Sequence, residues 1–184
     1  MPWPEHVCNR GNGKLKGLRD VREFIEKSGI EAEILELAPE STRTSASAAS
    51  AIGCPVAEIS KSIAFGCTLG TADISTDRTV IVVLSGDMLV DRDRLQREMK
   101  CISVRKLTAA EVRNRTGYVV GGVPPFPHNE DIIVLADRSI FRFIASWAAA
   151  GETHAVMRIR PGLLSEKLGY RIADVSIRAD DHPA

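Results

Sequence analysis

Apolar and polar positions in the first third of the chain follow two periods, one helical and one extended. Apolar side chains recur three or four positions apart over residues 15–28, which predicts an amphipathic helix that ends at Gly29. Alternation of polar and apolar residues predicts a strand over residues 31–37. An alanine-rich stretch that stops at Gly53 predicts a short helix over residues 46–52 with a serine or threonine N-cap.

The rest of the pattern mixes further strands and helices. Strands are predicted over residues 59–67, 80–84, 118–120, 132–136 and 172–177, and helices over residues 91–100, 108–115 and 161–168. Residues 143–150 and 154–159 flank a turn and predict a hairpin, although the first stretch fits a helix equally well. Because these elements do not alternate regularly as βαβ units, the pattern predicts an α+β domain whose mixed, largely antiparallel sheet curls like a barrel and is flanked by helices.

Composition agrees with an ordinary globular domain. The chain has 184 residues, 44% of them hydrophobic and 26% charged, so it can bury a core without disulfides or metal. We expect a loose N-terminal tail over residues 1–14 and a single domain over residues 15–184. With no apolar run long enough to span a bilayer and no signal-peptide pattern, a cytoplasmic location and no membrane partner are expected.

Charge and cysteine spacing narrow the class of function. Lysine plus arginine equals aspartate plus glutamate at 24 each, so a diffuse basic surface for long stretches of DNA is not expected. The four cysteines are scattered without a C-x-x-C pair, which predicts idle or buried thiols and no metal site. Neither a G-x-G-x-x-G turn nor a Walker A motif is present, so no cofactor is expected.

A lysine interrupts the apolar strand at residues 59–67. Lys61 fits two interpretations: a side chain that reaches water at a sheet edge, or a point charge that projects into a cleft to hold a phosphate.

Residues 121–128 form the most unusual stretch of the sequence. Two glycines permit rare backbone angles, and three prolines stiffen the rest of the stretch, so the loop is either a rigid connector or a wall whose amides receive ligand oxygens. The glycines are Gly121 and Gly122. His128 closes the loop and fits a structural role or a general base.

Two further places are ambiguous. Gly151 and His154 come after a run of small residues, which leaves room either for close packing or for a substrate. Asp137, at the end of an apolar strand, fits both a turn cap and a ligand contact. No G-x-S-x-G motif and no activated cysteine are evident, so covalent catalysis is not expected.

The ordered combination of motifs resembles the YbaK/prolyl-tRNA synthetase insertion-domain family. The matching segments, covering roughly residues 20 to 178, are Thr42-Arg43-Thr44, Ile59-Ser60-Lys61-Ser62, Val83-Leu84-Ser85-Gly86-Asp87, Thr116-Gly117-Tyr118, Gly121-Gly122-Val123-Pro124-Pro125, Asp137, and Ala148-Ala149-Ala150-Gly151. The resemblance implies hydrolysis of the ester that links a wrongly attached amino acid to the terminal adenosine of tRNA, a small amino acid being expected and tRNA-Pro being one candidate carrier. A non-catalytic module that binds a nucleotide or an aminoacyl group in the same cleft is the alternative.

The resemblance also implies roles for residues. Lys61 matches the family's important lysine, and Gly121 and Gly122 belong to its G-x-x-x-P loop; these three are expected to be catalytic. The residues expected to bind substrate are Thr42, Ser62, Ser85, Val123, Pro124, Pro125, His128, Asp137, Gly151 and His154. The expected partners are the acceptor end of aminoacyl-tRNA and a synthetase or elongation factor, with the chain a monomer or homodimer.

Overall fold

The computed structural model describes residues 15–42, 44–71, 74–129 and 131–181, so the tail predicted over residues 1–14 lies outside the described part. The helices are α1 (Leu18–Ser28), α2 (Ser45–Ile52), α3 (Arg92–Met99), α4 (Ala109–Thr116) and α5 (Gly162–Glu166). The strands are β1 (Glu33–Glu36), β2 (Ile59–Gly70), β3 (Ser75–Ser85), β4 (Met88–Val90), β5 (Ser103–Lys106), β6 (Ile133–Asp137), β7 (Ser146–Ala149), β8 (Ala155–Ile159), β9 (Arg171–Ala173) and β10 (Ser176–Arg178).

Helix ends agree with the local capping chemistry that the sequence predicts. Gly29 ends α1 in the left-handed region at φ 62°, and Gly53 ends α2 in the same way. Thr108 begins α4, where its hydroxyl accepts from the Glu111 amide and the Glu111 carboxylate accepts from the Thr108 amide. Thr44 begins α2, which confirms the predicted N-cap.

The long hairpin of β2 and β3 is the centre of the main sheet. The strand order is β1-β8-β7-β2-β3-β6-β9, with β5 also paired to β2. The pairs β1–β8, β7–β8, β2–β3 and β2–β5 are antiparallel, whereas β2–β7, β3–β6 and β6–β9 are parallel. A small second sheet pairs β4 with β10. The predicted α+β class with a mixed, largely antiparallel sheet is confirmed.

The two faces of the hairpin are buried by different helices. Residues 64, 81 and 83 pack into the cluster that includes Val21 of α1 and Leu164 of α5. Residues 65, 82 and 84 pack on the other face with Leu95 and Met99 of α3. Because side chains alternate along a strand, Ser60 and Ser62 share the α1 side of β2 and Lys61 lies on the α3 side.

Several predicted elements differ from the structure. Residues 118–120 are not a strand: Gly117 turns the chain at φ 82°, and the Thr116 hydroxyl accepts from the Tyr118 amide, so Tyr118 is buried in a turn. Residues 172–177 form two short strands in different sheets, β9 and β10, rather than one. In the predicted hairpin, only residues 146–149 of the first stretch form a strand, and these pair with β8. None of the described helices is long and apolar enough to cross a bilayer.

Candidate active site

A cleft of about 260 Å³ opens between β2, the β7–β8 hairpin, the start of α2 and the loop after α4. Its apolar wall contains Ile59, Trp147 and Val156, which pack against α2 as a separate cluster. The remaining lining residues are Thr42, Thr44, Ser45, Ala48, Ser60, Lys61, Ser62, Gly121, Val123, Ala148, Ala149, Thr153 and Ala155.

Lys61 is held in place by the turn at the end of β3. Its Nζ donates to the carbonyl oxygens of Gly86 at 3.0 Å and Met88 at 2.6 Å. An ammonium group carries three N–H donors, so these two contacts leave one for another acceptor. The lysine is therefore oriented rather than free to move in solvent.

The groups around Lys61 shift its pKa in opposite directions. Partial burial lowers the pKa of Lys61 from its ordinary value, the Asp87 carboxylate acts in the opposite direction, and the nearby Lys106 ammonium lowers it further. Asp87 is itself hydrogen-bonded to Arg142 at 2.6 Å. Arg142 thus makes the hydrogen bond to this carboxylate, whereas Lys61 donates to backbone carbonyls.

The predicted loop reaches the cleft through Gly121 and Val123. Gly121 has φ +86°, a conformation that residues with a Cβ rarely adopt. Gly122 lies behind it: its amide donates to the Val119 carbonyl at 2.9 Å, and a Cβ there would meet the backbone of Glu152 at 3.1 Å. Within the described residues, the Gly121 amide has no such partner, so it is one loop N–H that is left for a ligand at the cleft.

His128 closes this loop from inside. Its Nε2 lies 2.9 Å from the Pro124 carbonyl, its ring packs edge-on against Tyr118, and its Nδ1 is buried with no hydrogen-bond partner among the described residues. Burial lowers the pKa of His128 to about 4, since desolvation disfavours the charged ring. His128 therefore stays neutral at physiological pH. Pro124 and Pro125 are buried in the loop, and neither they nor His128 line the cleft.

Two residues expected to bind substrate have all their contacts inside the protein. The buried Asp137 carboxylate accepts from the Ser139 amide, the Val175 amide and the Ser176 hydroxyl at 2.7 to 2.9 Å. Ser85 is 1% exposed, and its hydroxyl donates to the Ser139 carbonyl. These hydrogen bonds favour the capping interpretation of Asp137.

Gly151 and His154 lie beside the cleft rather than in its lining. A Cβ on Gly151, at φ +96°, would come within 2.6 Å of the Gly17 backbone, so this glycine permits close packing against the start of α1. His154 Nε2 lies 3.3 Å from the Glu152 carboxylate. The preceding alanines, in contrast, do provide space in the cleft.

Lys61 is the sole ionisable side chain among the described residues that line the cleft. No group of histidine, cysteine or carboxylate side chains in the described ranges is arranged to hold a metal ion. The site thus combines one cation, several hydroxyls, a free loop amide and an apolar pocket.

The family model of the Aminoacyl-tRNA editing domain matches residues 39–166, which include all of the cleft. The chain belongs to this family. Among similar proteins, the uncharacterized protein YwhH of Bacillus subtilis is 30% identical over 149 residues, covering 81% of this chain and 89% of that protein.

Two solved structures that are 30% identical to this chain show the same fold. The crystal structure of hypothetical protein APE2540 has a TM-score of 0.76 and 30% identity, covering 85% of this chain and 99% of that one. The crystal structure of a proposed trans-editing enzyme for prolyl tRNA synthetase has a TM-score of 0.75 and 30% identity. The match covers 87% of this chain and 96% of that one. The predicted family is confirmed.

The structure of the editing domain brings together part of the expected site. Thr42, Lys61, Ser62, Gly121 and Val123 meet at the cleft, although they come from separate segments of the chain. Sequence reasoning did not expect Thr44, Ser45 or Ala48, at the start of α2, to line the cleft, although Thr44 belongs to a segment that matches the family. It noticed the small residues after Trp147 without establishing that Ala148 and Ala149, and not Gly151, border the cavity.

Proposed function

We propose that the chain is a trans-editing hydrolase that cleaves the ester of mischarged aminoacyl-tRNA by substrate-assisted attack of water. The observation that carries this proposal is the cleft itself, which is lined by small and apolar residues together with Lys61 and Gly121. Membership of the editing-domain family supports the reaction class.

Lys61 is proposed to bind a phosphate oxygen next to the terminal adenosine. Two of its three donors are fixed on carbonyl oxygens, which aims the third and keeps the charge in a partly desolvated place. The free Gly121 amide would donate to the ester carbonyl oxygen as negative charge develops there. Gly122 would act by shaping the turn, because its own amide is already bonded.

No described side chain in the cleft is suited to act as a general base, which favours help from the substrate. The oxygen of water would form a bond to the ester carbon while the bond from that carbon to the ribose oxygen breaks. The vicinal ribose hydroxyl would accept a proton from the water and pass one to the departing oxygen. Positioning alone can supply up to about 7 to 11 kcal/mol in well-oriented cases, so a protein base is not required.

The cleft also favours a class of amino acid. Alanines, Trp147 and Val156 contribute to its lining, and no carboxylate among the described residues lines it. A small, uncharged side chain therefore fits best, because a cationic one would lose hydration without a partner.

The first experiment is release of free amino acid from a panel of mischarged tRNAs, repeated with Lys61→Ala. We expect kcat/KM to fall at least 100-fold in Lys61→Ala while the thermal unfolding curve keeps its shape. Lys167→Ala is the matched control, because Lys167 also donates to a backbone carbonyl, that of Gly29, but lies away from the cleft. Near-normal turnover by folded Lys61→Ala would remove Lys61 from the mechanism.

The second measurement tests the source of the proton transfer. A tRNA whose terminal ribose lacks the vicinal hydroxyl should bind normally and be cleaved at least 100-fold more slowly. Equal cleavage of both substrates would show that the protein supplies its own base. Tight binding of charged tRNA without release of any amino acid would favour the binding-module alternative.

A further inference from the structure

Ser62, the neighbour of Lys61, places a polar group without a partner among the described residues in the wall of the cleft. The Ser62 hydroxyl is buried and forms no hydrogen bond within the described residues. A buried hydroxyl without a partner destabilises a fold, so such groups are rare and call for an explanation.

The backbone of Ser62 faces a gap in the sheet. Ala64 and Thr68 direct their carbonyls away from β3, where they accept from Leu107 and Ile102. Because backbone direction alternates along a strand, the N–H and C=O of Ser62 also point away from β3.

No described strand pairs with this edge of β2 at Ser62. On this edge, β7 pairs with β2 only at Ile59 and Ser60, and β5 pairs with it only at residues 65–68. The Ser62 amide and carbonyl therefore lie between two neighbouring strands, opposite neither, and the cleft opens there.

We infer that Ser62 binds the α-amino end of the aminoacyl group, an inference that rests on the proposed function. The ester of an amino acid carries a carbonyl acceptor and, one carbon away, an amino donor. The Ser62 N–H matches the acceptor, and its carbonyl and hydroxyl oxygens match the donor. With no carboxylate among the described cleft residues, neutral oxygens are what the cleft offers to an amino group.

This assignment divides the cleft by function. Ser62 contacts atoms that every aminoacyl ester shares, whereas Ala148, Ala149 and Val156 contact the side chain that differs. Substrates without a free α-amino group should therefore be poor ones whatever their side chain.

The test compares two serines whose hydroxyls differ in partners. Ser62→Ala removes a hydroxyl that has no hydrogen-bond partner among the described residues. We therefore expect an unchanged or higher Tm together with a fall of at least tenfold in kcat/KM. Ser146→Ala is the control: its buried hydroxyl is bonded to that of Ser60 at 2.9 Å, and it does not line the cleft. We expect Ser146→Ala to lower Tm by about 2 to 4 °C and to keep kcat/KM within about threefold. Normal kcat/KM in Ser62→Ala, or a lower Tm there, would overturn the inference.

Binding of stable analogues identifies the group that Ser62 contacts. The probes are adenosine carrying alanine through an amide at the 3′ position and the same compound with propionyl in place of alanyl, titrated into the whole protein. Wild type should prefer the alanyl compound at least tenfold, and the preference should shrink at least threefold in Ser62→Ala. Equal affinity for both probes in an enzyme that still releases amino acid from charged tRNA would overturn this inference alone. Failure of the wild type to release any amino acid would instead overturn the proposed function.

Discussion

Asp137 and Ser62 are both polar residues within the main sheet, and their hydrogen bonding is opposite. The Asp137 carboxylate accepts three hydrogen bonds and joins the end of β6 to the start of β10. The Ser62 hydroxyl has no partner among the described residues. Since an unsatisfied buried group lowers stability, the comparison separates a polar group that stabilises the fold from one that we propose binds a ligand.

The largest effect on stability is expected at Asp137, whose carboxylate accepts three hydrogen bonds. Asp137→Ala leaves two buried amides and a hydroxyl without their acceptor, so we expect the free energy of unfolding to fall by about 3 kcal/mol or more, measured by denaturant titration. Asp174→Ala is the control, because this exposed carboxylate makes only a 3.5 Å contact with Arg94, and it should change stability by less than about 0.5 kcal/mol. Similar values for the two variants would remove the distinction on which the comparison depends.

The next effect concerns Gly121, whose amide has no partner among the described residues. Gly121→Val puts a β-branched residue at φ +86° on the rim of the cleft, so we expect kcat/KM to fall at least tenfold and stability by about 1 to 2 kcal/mol. Gly169→Val is the matched control, because Gly169 also has a positive φ, at +66°, and has open space around it. It should lose similar stability and keep its kinetics. Unchanged kinetics in Gly121→Val would make the loop a connector only.

The third effect concerns protonation of His128, whose ring has a hydrogen-bond partner at Nε2 and none at Nδ1 among the described residues. Because burial lowers its pKa to about 4 from an ordinary value near 6.5, the unfolded chain binds the proton more tightly and stability falls as pH decreases from 6.5 toward 4. The expected loss between pH 7 and pH 5 is about 2 kcal/mol. His128→Gln should flatten this slope in thermal or denaturant unfolding, and His154→Gln should retain it. A slope that survives His128→Gln would assign the protonation to another group.

Local chemistry made the helices and the central hairpin predictable. Gly29, Gly53 and the Thr108–Glu111 pair specify helix ends within a few residues, and the apolar run of β2 and β3 identifies a buried hairpin. Residues 118–120 were predicted wrongly, because the apolar pattern fits a strand whereas the turn at Gly117 and the hydroxyl of Thr116 direct the chain elsewhere.

The site was only partly predictable for a different reason. Lys61 stands out because a charge interrupts an apolar strand, and Gly121 because of its unusual loop. The free edge at Ser62 has no such signal, since it depends on where β5 and β7 stop pairing, and these strands lie about forty and ninety residues further along the chain.

Because β4 pairs with β10, the surroundings of Lys61 are completed only when the last described strand of the chain has been synthesised. Residues 175–179 hydrogen-bond along residues 87–91, which fixes the segment whose Met88 carbonyl holds Lys61. A nascent chain that has emerged only as far as α5 contains Lys61 but lacks the strand that braces its acceptor. Since a growing chain folds as its segments become available, β10 must leave the ribosome before the acceptor that holds Lys61 is fully braced.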